Sequence, residues 1–228
     1  MTTHDYLQML RDIKDVAFAT VDEQGNPQVR IIDIMLIADD AVIFCTARGK
    51  DFYQQLMHNH HVALTGMNKN WQMLRLTGIA QRLEDQKLWL DRIFAANPSM
   101  NDIYPDDSRS ILEAFSISEG SLEFFDLGHQ PIVRNTATLG SIALTPKGFA
   151  IDSTCIGCGK CAAICPQQCI TPGHPYTIQQ SHCLHCGQCA ECCPAHAIHK
   201  QEATPCGIKC CNFLPIVGRF LQNFCSSI

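Results

Sequence analysis

The chain has 228 residues, 46% of them hydrophobic, 15 cysteines and a formal net charge of −5 at pH 7. That length suits one ordinary domain plus a small one, the acid excess argues against a nucleic-acid binder, and no apolar run approaches the roughly 18 residues that cross a bilayer. No basic start with an apolar run and a small-residue cleavage site leads the chain, so the expected compartment is the reducing cytoplasm, where so many cysteines point to metal and not to disulfides.

The first half reads as a short helix followed by strands. Tyr6, Leu10 and Ile13, with Met9 beside them, share one helical face behind a possible Thr3 cap, which predicts an amphipathic helix over 3–14. The period then changes to two. Strands are expected over 16–21, 28–37 and 41–46, with turn chemistry at Gly25-Asn26-Pro27 and at Asp39-Asp40. A helix over 51–58 comes next, then a hairpin of 62–67 with 71–82 across Asn68-Lys69-Asn70. A helix over 86–96 and a last strand pair, 112–118 and 122–127 around Glu119-Gly120, complete the half. Six or so antiparallel strands with two or three helices suggest a barrel. Pro131, Gly140, Pro146 and Gly148 then mark a connector over 131–148.

Within that half, Phe18-Ala19-Thr20, Gly25-x-Pro27-x-x-Arg30, Phe44-Cys45-Thr46 with Lys50, and Arg75-Leu76-x-Gly78 follow one another in an order that resembles the FMN-binding split barrels of the pyridoxamine 5′-phosphate oxidase family. The resemblance covers residues 1–130. It implies that Arg30 and Lys50 bind the flavin phosphate, with Arg48 as an extra cation and Thr46 bonding the phosphate or ribityl chain. It also implies that Ile31 and Ile32 lie along the ring, that Met73 makes a ring contact, and that two copies pair as a homodimer. The family often has a lysine soon after the arginine, where this chain has Asp33, Ile34 and Met35. A cation at position 50 opens the expected second helix, where the helix dipole disfavours it, and so calls for an anion.

The second half carries two copies of one pattern, Cys155-x2-Cys158-x2-Cys161-x3-Cys165-Pro166 and Cys183-x2-Cys186-x2-Cys189-x3-Cys193-Pro194. This spacing wraps a chain around paired iron–sulfur clusters, with the cysteine before each proline reaching to the other cluster. Cys155, Cys158, Cys161 and Cys193 are therefore assigned to one [4Fe–4S] cluster, and Cys183, Cys186, Cys189 and Cys165 to the second. Structural zinc needs only four-ligand sets and does not call for the prolines. Both motifs, with Gly157, Gly159 and Gly187, resemble the bacterial two-cluster ferredoxin. Seven cysteines stay outside these sets: Cys45, Cys169, Cys192, Cys206, Cys210, Cys211 and Cys225. Phe213, Val217, Phe220, Leu221 and Phe224 recur at helical spacing, so a short apolar helix is expected in the tail, whose cysteines read either as free buried thiols or as a third metal site.

The fold expected is mainly β plus α: an FMN-binding split β-barrel (1–130), a linker (131–148), a small α+β ferredoxin-like two-cluster domain (149–200) and a cysteine-containing apolar tail (201–228). The function expected is an iron–sulfur flavoprotein oxidoreductase that passes single electrons through two [4Fe–4S] clusters to FMN, which exchanges two electrons with a small organic substrate. An external one-electron protein such as a ferredoxin, or a nicotinamide cofactor, is the expected partner. A non-catalytic carrier or redox sensor, or a split barrel holding haem or a deazaflavin, are the alternatives. No pair of titratable side chains stands out as catalytic acid and base.

Overall fold

A computed structural model describes residues 1–201, and its first element is set by a capping box. Thr2, one residue earlier than expected, accepts from the Asp5 amide at 3.2 Å while Asp5 accepts from the Thr2 amide at 2.6 Å, opening helix α1 (Thr3–Ile13). Strands β1 (Asp15–Val21) and β2 (Pro27–Asp33) follow as an antiparallel pair. The single strand expected over 28–37 is two strands. The Ile34 amide bonds to the Lys14 carbonyl at 2.9 Å and the Met35 amide to the Ile43 carbonyl at 3.0 Å, so the chain leaves β1 and joins a new partner as β3 (Leu36–Ala38). Asp39 and Asp40, both with positive φ (51° and 54°), make a two-residue hairpin turn into β4 (Ala41–Ala47).

Helix α2 (Asp51–His58), the hairpin of β5 (His61–Met67) and β6 (Gln72–Arg82), and helix α3 (Gln86–Ala96), capped by Asp85, come next. A short helix α4 (Met100–Ile103) and a 3-10 turn (Asp106–Ile111) lead into β7 (Leu112–Asp126). This last element corrects the strand pair expected around Glu119-Gly120. Gly120 faces Gly78 across β6 and β7, a Cβ at position 120 would stand 2.5 Å from the Thr77 carbonyl oxygen, and the register shifts just beyond, at Ile79/Ala80. The two backbones approach too closely there for any side chain, so the glycines bend a continuous strand instead of turning it back. The connector expected over 131–148 is also different, since Val133–Leu139 form β8 and pair with β7 along its second half.

The strands make an eight-stranded antiparallel sheet in the order β2-β1-β5-β6-β7-β4-β3, with β8 on β7, and it curls around one core. Phe18, Phe44, Phe52 and Phe115 fill that core with ring centroids 5.1–6.0 Å apart, and α1 closes it with Tyr6, Leu7 and Leu10. β4 is buried on both faces, because Ile43 points out to a second core under Leu90, Ile93 and Phe94 of α3.

The remaining described residues are built on the internal repeat. β9 (Phe149–Ile151), helix α5 (Lys160–Ile164) and β10 (Ile170–Thr171) form the first copy; β11 (Thr177–Ile178), helix α6 (Gln188–Glu191) and β12 (Ile198–Lys200) form the second. Each short sheet joins the opening strand of one copy to the closing strand of the other, β9 with β12 and β11 with β10. The tail helix and Cys206, Cys210, Cys211 and Cys225 lie outside the described residues.

Replacing Gly120 by alanine is expected to destabilise the barrel by about 1–3 kcal/mol, the usual scale for forcing atoms into a packed site. Gly49→Ala, where an added Cβ meets nothing within 4 Å, is expected to be close to neutral. Urea unfolding midpoints of the two variants check the contrast.

Candidate functional site

In the barrel, the cations expected at a phosphate gather around α2. Arg30 projects from β2 and is held by two buried neighbours. One guanidinium nitrogen donates to the Thr20 hydroxyl at 2.6 Å, the other to the Gln55 carbonyl oxygen at 2.7 Å, and Thr20 donates to that same oxygen at 2.6 Å. The guanidinium carbon lies 4.6 Å from the centre of the Phe52 ring. Lys50, two residues before Phe52, is the N-cap residue of α2; it is exposed and its side chain makes no capping bond. Thr46 is buried on β4 opposite Glu113. Arg48 is already engaged, donating to the Ser110 carbonyl at 2.8 Å and standing 3.6 Å from Glu113.

The other expected contacts are less gathered. Ile31 is 65% exposed while Ile32 packs on the core, as alternation along a strand requires, so the backbone between them, and not both side chains, is available to one flat ring. Met73 sits on β6, separated from β2 by β1 and β5, and pairs with Met67 and Phe125. Within one chain Arg30 reaches Phe52 and Gln55 of α2 while Lys50 stands at the start of that helix, cations whose chemistry suits a phosphate. The structure does not bring Met73 to them. Cys45 lies on the α3 side of β4, where burial pushes its thiol up to about 12.

The cysteines of the repeat line two cavities. One is lined by Cys155, Cys158, Cys161 and Cys193; the other by Cys165, Cys183, Cys186 and Cys189, with Cys169 as a fifth thiol. The strand exchange accounts for this grouping. Cys165 runs into β10, which is zipped to β11 at the start of the second copy, and Cys193 runs into β12, which is zipped to β9 at the start of the first. Left-handed backbone recurs at matched places in the two copies, Gly157 and His185, Gly159 and Gly187, Gln168 and His196. At Gly157 a Cβ would come 2.4 Å from the His174 ring, so a side chain there would have to displace that ring.

Among the described residues no three His, Cys, Asp or Glu side chains converge tightly enough for a single ion. The thiols stand around cavities, a donor set that fits a sulfide-bridged cluster. Burial pushes Cys189 up to about 11 and Cys169 up to about 12, so metal binding at Cys189 must displace a proton.

Residues 2–113 match the family described as pyridoxamine 5′-phosphate oxidase, and residues 154–198 match the 4Fe-4S dicluster domain. The chain joins an oxidase-family split barrel to a 4Fe-4S dicluster domain. Over 93 residues it is 34% identical to a dihydrophenazinedicarboxylate synthase of Pseudomonas chlororaphis, covering 39% of this chain and 42% of that protein. The chain therefore spans less than half the length of this relative. A NimC/NimA family protein of Clostridium acetobutylicum shares the fold at a TM-score of 0.53 and 22% identity, covering 60% of this chain and 92% of that one. A haem-binding protein of Mycobacterium smegmatis aligns at 0.49 and 15%, covering 60% and 58%. Among the described residues no helix is long and apolar enough to cross a membrane.

Several site residues had no expectation attached to them: Thr20 and Gln55 behind Arg30, and Glu113 with Arg82 and Tyr53. The Arg82 guanidinium, followed by the Tyr53 hydroxyl, holds the Glu113 carboxyl below its ordinary value of 4.5. A carboxyl depressed by folding contributes stability above pH 4.5 that is lost as pH falls through the folded value. Thermal melts on acidification below pH 4.5 are expected to fall more steeply for the wild type than for Glu113→Gln.

Proposed function

We propose that this protein is an iron–sulfur flavoprotein oxidoreductase, joining one-electron carriage at two [4Fe–4S] sites to two-electron exchange between FMN and a small organic substrate. The observation that carries this reading is a pair of cysteine-lined cavities in the same chain as a barrel of the pyridoxamine 5′-phosphate oxidase family. FMN, when bound, takes up electrons singly and returns them in pairs, which is the conversion such a pairing needs.

In this reading Lys50 and the prearranged Arg30 grip the phosphate, Thr46 bonds it or the ribityl chain, and the backbone at Ile31 and Ile32 runs along the ring. Arg48 contributes less, since Glu113 and the Ser110 carbonyl already occupy it. Eight of the nine cysteines that line the two cavities are the cluster ligands, Cys155, Cys158, Cys161 and Cys193 in one and Cys165, Cys183, Cys186 and Cys189 in the other. Cys169 is a buried neighbour of Cys165, the two sulfurs 3.5 Å apart.

The outward face of β2 supports a homodimer. Val29 and Ile31 are 72% and 65% exposed, beside Ala17 and Ala19 of β1 and Ala63 of β5. This is an apolar sheet face that a second copy would cover, supplying the wall that one chain lacks around a ring. Electrons come from a ferredoxin-like protein or a nicotinamide cofactor, and the working compartment is the cytoplasm.

Anaerobically purified protein is expected to be brown, to carry about eight irons and as many sulfides per chain, the content of two cubanes, to sediment as a dimer, and to release FMN in acid. Colourless protein without iron would refute the proposal, and release of haem or a deazaflavin would replace its flavin part. Lys50→Ala is expected to weaken FMN binding about 10- to 100-fold, the worth of one charge-assisted contact of about 1.5–3 kcal/mol, with iron content unchanged. Fluorescence titration of the flavin measures it.

A further inference from the structure

The two cavities are equivalent in the repeat but not in their surroundings. Three hydrogen bonds tie the dicluster domain to the barrel's last strand and the residue before it. His182 Nδ1 pairs with the Ile132 carbonyl at 2.8 Å, the Ile132 amide donates to Gln167 Oε1 at 2.9 Å, and Arg134 Nε donates to the Cys183 carbonyl at 3.1 Å. Gln167 and Cys183 both line the cavity of Cys165, Cys183, Cys186 and Cys189. Among the described residues, none that line the other cavity hydrogen-bonds to the barrel. Matched positions record the difference: Ile156 is 64% exposed, whereas its counterpart Leu184 is half-buried.

Arg134 is the barrel side chain that reaches across the junction. It is only 14% exposed, is ion-paired with Glu123 of β7, and its guanidinium carbon stands 4.7 Å from the centre of the Phe125 ring. Phe125 lies in register with Arg134 on one side and with Met73 on the other. A continuous line therefore runs from the Cys183 carbonyl through Arg134 and Phe125 to Met73 on β6. Glu123, 12% exposed, also faces Lys147 at 3.5 Å and Arg75 at 3.9 Å.

The geometry points to the cavity of Cys165, Cys183, Cys186 and Cys189 as the inner redox site, next to the barrel, with Arg134 and Glu123 setting its potential by opposed charges while the other cavity serves as the outer site. This rests on the two-cluster reading above. An external one-electron carrier reduces the outer site, one electron passes from outer to inner site and then to the barrel's acceptor, and at each transfer the donor is oxidised and the acceptor reduced by one electron without a bond made or broken. A cation bonded to the carbonyl of a ligating cysteine favours the reduced, more negative site, and a nearby carboxylate opposes it. Arg134 and Glu123 are positioning residues in this sense, since neither touches the sulfurs.

EPR-monitored redox titration of the holoprotein tests the assignment, with Cys158→Ser identifying the outer signal by altering it alone. Arg134→Met is expected to shift the midpoint of the inner cluster to more negative potential, Glu123→Gln to shift it to less negative potential, and Arg134→Lys to leave it near the wild-type value, with the outer midpoint constant throughout. Opposite shifts at one cluster are not produced by general loosening of the fold, and Glu123→Gln and Arg134→Lys keep the test open should Arg134→Met lose its clusters. Iron and sulfide present with both midpoints moving together, with neither moving, or with only the outer one moving would overturn the inference. Absence of iron and sulfide from the wild type would overturn the cluster reading itself.

Discussion

A glycine facing a glycine across β6 and β7 lets one fifteen-residue strand serve three partners. With Gly78 and Gly120 bringing the backbones together, the first half of β7 lies between β4 and β6 and the second half between β6 and β8. Its side chains then reach both ends of the molecule's chemistry. Glu113, near its start, sits opposite Thr46, pairs with Arg48 and Arg82 and accepts from Tyr53 of α2, while Glu123 and Phe125, near its end, hold Arg134 at the dicluster domain. Were β7 two strands around a turn, those groups would belong to separate elements and the barrel would have no rigid link between its two working edges.

The parts of this arrangement that could be read from the residues are those where chemistry imposes local spacing. The cysteine pattern is constrained by the size of a cluster, so Cys155 to Cys193 declare themselves without a fold. Helices α2 and α3 declare themselves through apolar spacing within a dozen residues. β7 and β8 failed for the opposite reason. Glu119-Gly120 has the composition of a turn, and only the nonlocal partner Gly78 makes it a bend. Val133–Leu139 reads Val-Arg-Asn-Thr-Ala-Thr-Leu, too polar to announce a strand, and it becomes one because β7 offers a free edge.

The same distinction divides the candidate site. Arg30 and Lys50 were expected from the resemblance, and Lys50 also because a cation at a helix start calls for an anion. Thr20 and Gln55 were not, since a threonine on a strand and a glutamine in a helix are ordinary until the fold sets them against one guanidinium. Their contribution is geometric. Arg30 would otherwise lose side-chain entropy on meeting an anion, and here much of that ordering is already complete in the folded chain.

The internal repeat and its junction with the barrel also explain why two like cavities have unlike surroundings. Strand exchange makes each cavity depend on both copies, so neither can drift far in backbone without damaging the other, and the left-handed positions coincide in pairs. Side chains are less constrained. Where the first copy has Gly157, the second has His185, whose buried Nε2 has no hydrogen-bond partner and whose pKa is lowered, first by burial and then by Arg134. Gly148, at the start of the domain, is the residue that leaves room for that ring, since a Cβ there would stand 2.6 Å from Nε2. The asymmetry is therefore built from the junction outward: the copy that meets the barrel is the one whose loop carries a desolvated ring and a guanidinium against its backbone, and the copy that does not keeps glycine and an exposed isoleucine.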